Sequence, residues 1–285
     1  MSSLTNSLSI SPELSKRILT GLAGIVVFTL LIVYAGRVGV AAISVIMSLG
    51  MLFEFVDMVF TLHDKREKRL ILLGSAWLIA FINFWIPRME FELLLFAFFP
   101  LFAYFLFTVE RHHGDALATH FWELMASLFG VLYLVFLPLF LISLRDVPKG
   151  MHWTLIFFIV VWASDSAAYF VGRKYGKRKL FAAISPNKTV EGAAGGLAAG
   201  FILVLLYKAA IFRQIPWSAT IAIPIFVGIF AQLGDLSESF LKRAFHRKDS
   251  GSMIPGHGGF LDRFDGVVFA LPVMYGCVKY LGGVI

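Results

Sequence analysis

Between Asp235 and Asp265 the chain sets carboxylates, cations and glycines at spacings suited to handling phosphates. Asp262 and Asp265 stand three residues apart, so on a helix they share a face and both can reach one cation, with Arg263 directed elsewhere. Ahead of them, Pro255-Gly256-His257-Gly258-Gly259 reads as a turn whose backbone can approach a phosphate closely. Lys248-Asp249 and Lys242-Arg243 add charges of both signs. Asp235, Glu238, Ser239 and Lys242 fall at i, i+3, i+4 and i+7, one polar helix face, which an ordinary amphipathic helix end also explains. Carboxylate oxygens for Mg²⁺, cations for phosphate oxygens and a glycine turn are what phosphoryl or nucleotidyl transfer requires.

A second group precedes this one. Asp165 lies inside an apolar run, about 10 Å from its end, where a carboxylate is costly unless paired or hydrated. Asp165, Tyr169 and Arg173 recur every four residues and form one stripe. The stripe suits a polar cavity or metal site better than a buried Asp satisfied by a neighbouring helix. Ser185-Pro186 reads as a helix N-cap with Pro at N1, leaving backbone N–H groups beside Lys188 as a phosphate seat. Gly192, Gly196 and Gly200 repeat every four residues, a small-residue face for close helix packing.

The elements that must position these groups are membrane helices. The 285-residue chain is 59% hydrophobic and 15% charged, with mean hydropathy +0.82, far from the roughly 25% charged residues of soluble domains. The runs Ile18 to Gly36, Val38 to Phe60, Leu70 to Pro87, Phe91 to Val109, Phe121 to Ser143, His152 to Gly172, Thr189 to Phe212, Trp217 to Leu236 and Phe260 to Gly282 approach or reach the roughly 20 residues a bilayer requires. The expected fold is an all-α polytopic helix bundle with about nine transmembrane helices. Ser11-Pro12-Glu13 reads as a helix start, so the first run is expected to be retained. Three segments follow: an N-terminal segment 1–17, largely apolar spans over 18–143, and a polar-bearing, catalytic half over 144–285. Most of the 25 Lys and Arg fall in loops on one side, which places the N-terminus and the polar loops in the cytoplasm and the C-terminus outside. The single cysteine, Cys277, excludes an intramolecular disulfide and a thiolate zinc cluster. His112, His113 and His120 read as solvated loop residues and not as a metal cluster.

Over residues 239–265 the chain resembles the phosphatidate cytidylyltransferase family, through Ser239, Lys242-Arg243, Lys248-Asp249, Pro255, His257-Gly258-Gly259, Asp262-Arg263 and Asp265. A second pattern of that family is present in Asp165, Tyr169, Gly172 and Gly176 with Ser185-Pro186, Lys188-Thr189 and Glu191-Gly192. The resemblance runs from about Asp165 onward; the earlier spans match in being apolar. It implies transfer of the cytidylyl group of CTP to phosphatidate, giving CDP-diacylglycerol and pyrophosphate, with a divalent metal, in a multi-pass protein of the inner cell membrane.

For that reaction Asp249, Asp262 and Asp265 are the leading Mg²⁺ ligands, with Asp165 and Asp235 as further ligands or partners. Five carboxylates leave room for a second cation. Lys188, Lys242, Arg243, Lys248 and Arg263 are expected to clamp phosphates, with Ser185, Ser239, Gly258 and Gly259 lining the substrate site. His257 either donates a hydrogen bond to the departing phosphate or secures the glycine turn. The expected partners are CTP, phosphatidate and bilayer lipid, with no nucleic acid; a homodimer is left open. Three rival readings remain, of which a CDP-alcohol phosphotransferase should show a different spacing of aspartates along one helix, which the sequence does not have. A CTP-dependent lipid kinase would release CDP, and a transporter would favour broken helices in both halves.

Overall fold

A computed structural model describes residues 24–60, 65–86, 90–111, 114–254 and 258–283. In chain order the elements are α1 (Gly24–Val33), α2 (Gly36–Val59), α3 (Lys65–Trp85), α4 (Glu90–Phe107), a 3₁₀ turn (Val109–Arg111) and α5 (Asp115–Val131). A π-helical turn (Leu132–Phe136) leads into α6 (Leu137–Asp146), followed by α7 (Gly150–Tyr175), β1 (Lys179–Phe181), β2 (Ser185–Thr189), α8 (Val190–Ala210), α9 (Trp217–Ala244) and α10 (Leu261–Leu281).

Seven of these stretches are long and apolar enough to cross a membrane: α2, α3, the continuous Ala116–Asp146, α7, α8, α9 and α10. Two more apolar helices, Gly24–Val33 and Glu92–Phe107, are shorter. The first belongs to a run that begins outside the described residues. The protein is therefore an all-α, multi-pass membrane protein, with seven full-length spans among the described residues against the nine expected. The exposed faces agree with this class. On α4, Leu93, Ala97, Leu101 and Phe105 form a buried stripe, while Leu95, Phe96, Phe99, Phe102 and Leu106 face outward. In water so large an apolar face would be a liability; in hydrocarbon it is the ordinary surface of a helix.

The core lies where α2, α6, α7 and α10 meet, around Met51, Phe55, Leu139, Trp153, Phe157 and Leu271. Pro138, at the start of α6, follows the π-helical turn. A proline lacks the N–H that an α-helical ladder needs there, and the wider turn accommodates it. Ser44 on α2 donates to the Pro138 carbonyl at 2.9 Å. His120 differs from its expected solvated state: it is buried on α5, with Nε2 2.9 Å from the Phe105 carbonyl oxygen. An apolar helix face folds such a residue inward once a backbone carbonyl satisfies it. His112 and His113 lie outside the described residues.

Two glycine-mediated contacts bring the polar helices together. A Cβ on Gly192 would sit 2.7 Å from the Ala168 carbonyl oxygen, and one on Gly196 would sit 2.7 Å from that of Ser164, so α8 lies directly on α7. Likewise a Cβ on Gly234 would meet the Asp265 carbonyl oxygen at 2.5 Å, which seats α9 against α10. The helix start expected at Ser185-Pro186 is displaced. Ser185–Thr189 forms β2, antiparallel to β1, with Lys179 opposite Thr189 and Phe181 opposite Ser185. Pro186 is tolerated on so short an edge strand. Thr189 is instead the N-cap of α8, its side chain accepting from the Gly192 N–H.

Candidate active site

Helices α1, α7, α8, α9 and α10 and the hairpin line one cavity of about 1130 Å³. α7 contributes Asp165, Tyr169 and Arg173; α9 contributes Asp235, Glu238 and Lys242; α10 contributes Asp262, Arg263 and Asp265; β2 contributes Ser185 and Lys188. Gly24, Ile25, Phe28, Trp162 and Phe264 add an apolar portion of wall. Phe28 of α1 packs edge-on against Phe158 of α7 at 4.5 Å between centroids.

The charges in this cavity divide into two sets. In the first, Lys242 lies between two acids, 2.6 Å from a Glu238 oxygen and 2.6 Å from Asp262 Oδ1. Asp262 Oδ2 accepts from the backbone N–H groups of Ser250, at 3.2 Å, and Gly259, at 3.1 Å. Both Asp262 oxygens are thus engaged in fastening the glycine loop to α9. In the second set, Lys188 pairs with Asp235, linking β2 to α9. Asp265 is buried, and its Oδ1 accepts from the Gly266 N–H at 2.7 Å. The carboxylates of Asp235, Glu238 and Asp165 all act electrostatically on that of Asp265. One Glu238 oxygen, Oε1, is buried without a hydrogen-bond partner among the described residues. Glu238 and Asp265 are buried, whereas Asp235 is half-buried and Asp165 exposed; the buried acids are tolerated when a cation neutralises them.

A divalent cation fits this chemistry. The oxygens of Asp165, Asp235 and Asp265 are hard donors, and the unpartnered Glu238 Oε1 lies in the same wall. Among the described residues no three His, Cys, Asp or Glu side chains come together as a ready-made metal cage. Mg²⁺ needs less than a cage, because it takes one or two carboxylates and completes its shell with water and substrate phosphates.

Other expected residues are placed elsewhere. Lys248 and Asp249 are exposed, and the cavity wall does not include them. Ser239 and Arg243 also lie outside it, Arg243 donating to the Arg247 carbonyl at 3.2 Å. Gly258 adopts φ +85°, a conformation natural to glycine, and its carbonyl accepts from the Ile254 N–H at 3.0 Å to close the loop. A Cβ on Gly259 would fall 1.9 Å from Ser250 Oγ. Both glycines shape the loop instead of lining the cavity. His257 lies outside the described residues. Glu191 accepts from the N–H groups of Lys177 and Arg178, at 3.0 and 3.2 Å, pinning the turn that precedes β1.

Three polar residues in or beside the site were not anticipated, of which Glu238 alone lines the cavity. Glu238 was visible in the α9 polar stripe. Tyr133, on the π-helical turn, is buried, its hydroxyl without a hydrogen-bond partner among the described residues. Glu54, a buried acid of the apolar α2, contacts the glycine loop. Tyr133 was a lone polar group within an apolar run, and Glu54, three residues before Asp57, matched no motif in the sequence.

A model of the cytidylyltransferase family matches residues 15–281. The chain is 35% identical over 274 residues to the phosphatidate cytidylyltransferase of Bacillus subtilis (strain 168), an alignment covering 92% of this chain and 97% of that protein. It is 48% identical over 126 residues to the phosphatidate cytidylyltransferase of Staphylococcus saprophyticus, 44% of this chain and 48% of that one. The corresponding enzyme of Staphylococcus haemolyticus is 46% identical over 125 residues, again 44% and 48% of the two chains. With the match running through every helix that lines the cavity, this chain belongs to the cytidylyltransferase family.

Proposed function

We propose that the chain is a phosphatidate cytidylyltransferase whose reaction takes place in the cavity between α7, α9 and α10. A phosphate oxygen of phosphatidate attacks the α-phosphorus of CTP in line with the departing group. The bond from that phosphorus to the bridging oxygen breaks, pyrophosphate leaves, and CDP-diacylglycerol remains. The lipid phosphomonoester carries about −1.5 to −2 charges near neutral pH, so its oxygen is already a nucleophile and no general base is required. The work left to the protein is to bring two polyanions together and to stabilise charge on the departing pyrophosphate.

The observation that carries this reading is a single cavity holding both kinds of wall. Asp165, Lys188, Asp235 and Asp265 suit a metal–triphosphate, and Ile25, Phe28, Trp162 and Phe264 suit the glycerolipid. Asp265 and Asp165, with Asp235, are the residues that would hold Mg²⁺; when bound, the ion supplies positive charge to the phosphates. Arg173 and Arg263 face the cavity and would clamp phosphate oxygens. Lys188 is oriented by Asp235 for the same purpose. Asp262 holds the loop and Lys242 in place. The polar loops face the cytoplasm of the inner cell membrane, where the Lys and Arg excess of those loops would keep them.

Purified protein in detergent, given CTP, Mg²⁺ and phosphatidate, is expected to release pyrophosphate in equal amount with a cytidine-containing lipid. Release of CDP with a newly phosphorylated lipid would identify a lipid kinase instead. Turnover undiminished by a strong chelator would remove the metal from the mechanism.

A further inference from the structure

Glu54 is an acid with no obvious place. It sits toward the end of α2 between Phe53 and the buried Phe55, and only 2% of its surface is exposed. Its Oε2 accepts two hydrogen bonds from far along the chain: one from Ser250 Oγ at 2.9 Å and one from the Leu261 N–H at 2.9 Å. Leu261 is the first residue of α10, and the preceding Phe260 offers no side-chain cap. The carboxylate of α2 therefore satisfies an N–H that the first turn of α10 leaves open, and it brings negative charge to the positive end of that helix.

The loop before α10 is moulded on the same carboxylate. A Cβ on Gly251 would fall 2.4 Å from Glu54 Oε1, and one on Gly259 would fall 2.8 Å from Oε2, so no side chain could stand between loop and acid at either place. Ser250, itself buried, donates its N–H to Asp262. A continuous chain of hydrogen bonds and ion pairs thus runs from Glu54 through Ser250 and Asp262 to Lys242 and Glu238. It joins a helix outside the cavity to one wall of the cavity.

We propose that Glu54 is a positioning residue for cytidylyl transfer: from α2 it caps α10 and anchors Ser250, setting where Asp262, Arg263 and Asp265 stand. This rests on the reading that the first turn of α10 belongs to the active site. It gives the apolar N-terminal spans a specific part in the reaction. A mispositioned reactive group can slow a step by up to about 100-fold, so the expected signature is a fall in kcat in protein that is still folded.

The test compares Glu54→Ala, Glu54→Gln, Ser250→Ala and Glu54→Ala with Ser250→Ala, each assayed for kcat, KM for CTP, thermal unfolding and hydrogen exchange across residues 250–263. Glu54→Ala is expected to lower kcat by about 10- to 100-fold and to speed exchange in that segment. Glu54→Gln, which keeps an acceptor oxygen for both bonds, is expected to restore most of the rate. Ser250→Ala is expected to give a smaller fall and to add nothing in the Glu54→Ala background, as for two residues acting through one contact. Folded Glu54→Ala with normal kcat, or Glu54→Gln no faster than Glu54→Ala, overturns the proposal. If Glu54→Ala fails to fold, Ser250→Ala decides: normal kcat there overturns it. Asp265→Asn assayed alongside separates the two layers, because full activity in that variant would remove the site reading itself, whereas its inactivity beside normal Glu54 variants would remove the positioning role alone.

Discussion

At the scale of single residues, the cavity assigns different work to carboxylates that look alike in sequence. Asp262 has Lys242 on one oxygen and two backbone N–H groups on the other. Asp265 is buried against Gly266 N–H, with three further acids acting on it. Under a structural role, Asn at position 265 would keep the hydrogen bond to Gly266 and relieve charge repulsion, so folded protein should remain active. Under the metal-holding role, the lost charge should lower activity by at least about 100-fold, near 2.7 kcal/mol of barrier, with thermal unfolding unchanged or raised. Specific activity and unfolding temperature of Asp265→Asn, measured on one detergent sample, decide between these; near-normal turnover would exclude Asp265 from metal-assisted chemistry.

At the scale of elements, the site depends on how closely pairs of helices approach. The Gly192 and Gly196 face of α8 lies against carbonyl oxygens of α7, with too little room for a Cβ, and this contact sets α7, which carries Asp165, against α8. A Leu at position 196 must displace Ser164, whose carbonyl oxygen lies 2.7 Å and whose Oγ lies 2.8 Å from the would-be Cβ. Small residues at such crossings are what permit membrane helices to pack closely. Gly196→Leu is therefore expected to lower the unfolding temperature and the yield of folded protein. Gly74 in α3 has nothing among the described residues within 4 Å of its would-be Cβ, and Gly74→Leu should be tolerated. Equal unfolding temperatures for the two variants would show that the α7–α8 contact is not tight.

At the scale of the whole molecule, α7 runs between Lys149 and Lys177 with 26 helical residues, about 39 Å of rise. That length spans a bilayer, so its two ends should emerge on opposite sides. Lys177 and Lys248 belong to the basic loops assigned to the cytoplasm, and both are exposed, as is Lys149. In a Cys277→Ser background, Lys177→Cys and Lys248→Cys should react with an impermeant thiol reagent from one side of the membrane and Lys149→Cys from the other. Labelling of all three from one side would overturn the orientation of α7 and the assignment of the loops with it.

Hydrophobicity and helical period are properties of the chain taken a few residues at a time, and they alone mark this protein as a membrane-embedded bundle with its polar groups crowded after Asp165. The same local patterns carry the resemblance over residues 239–265 and the glycine face of α8. They could not show which acids meet. Asp165, Asp235 and Asp265 share a cavity because glycines bring α7 to α8 and α9 to α10, whereas Asp249, inside the same motif, lies outside the cavity wall. Nor could spacing show that Thr189, four residues beyond Ser185, caps α8, since the strand pairing of β1 with β2 decides that. Glu54 is the extreme case. It stands 196 residues before Ser250 and 207 before Leu261, and only the packing of α2 beside α10 brings its carboxylate to the two donors that it serves.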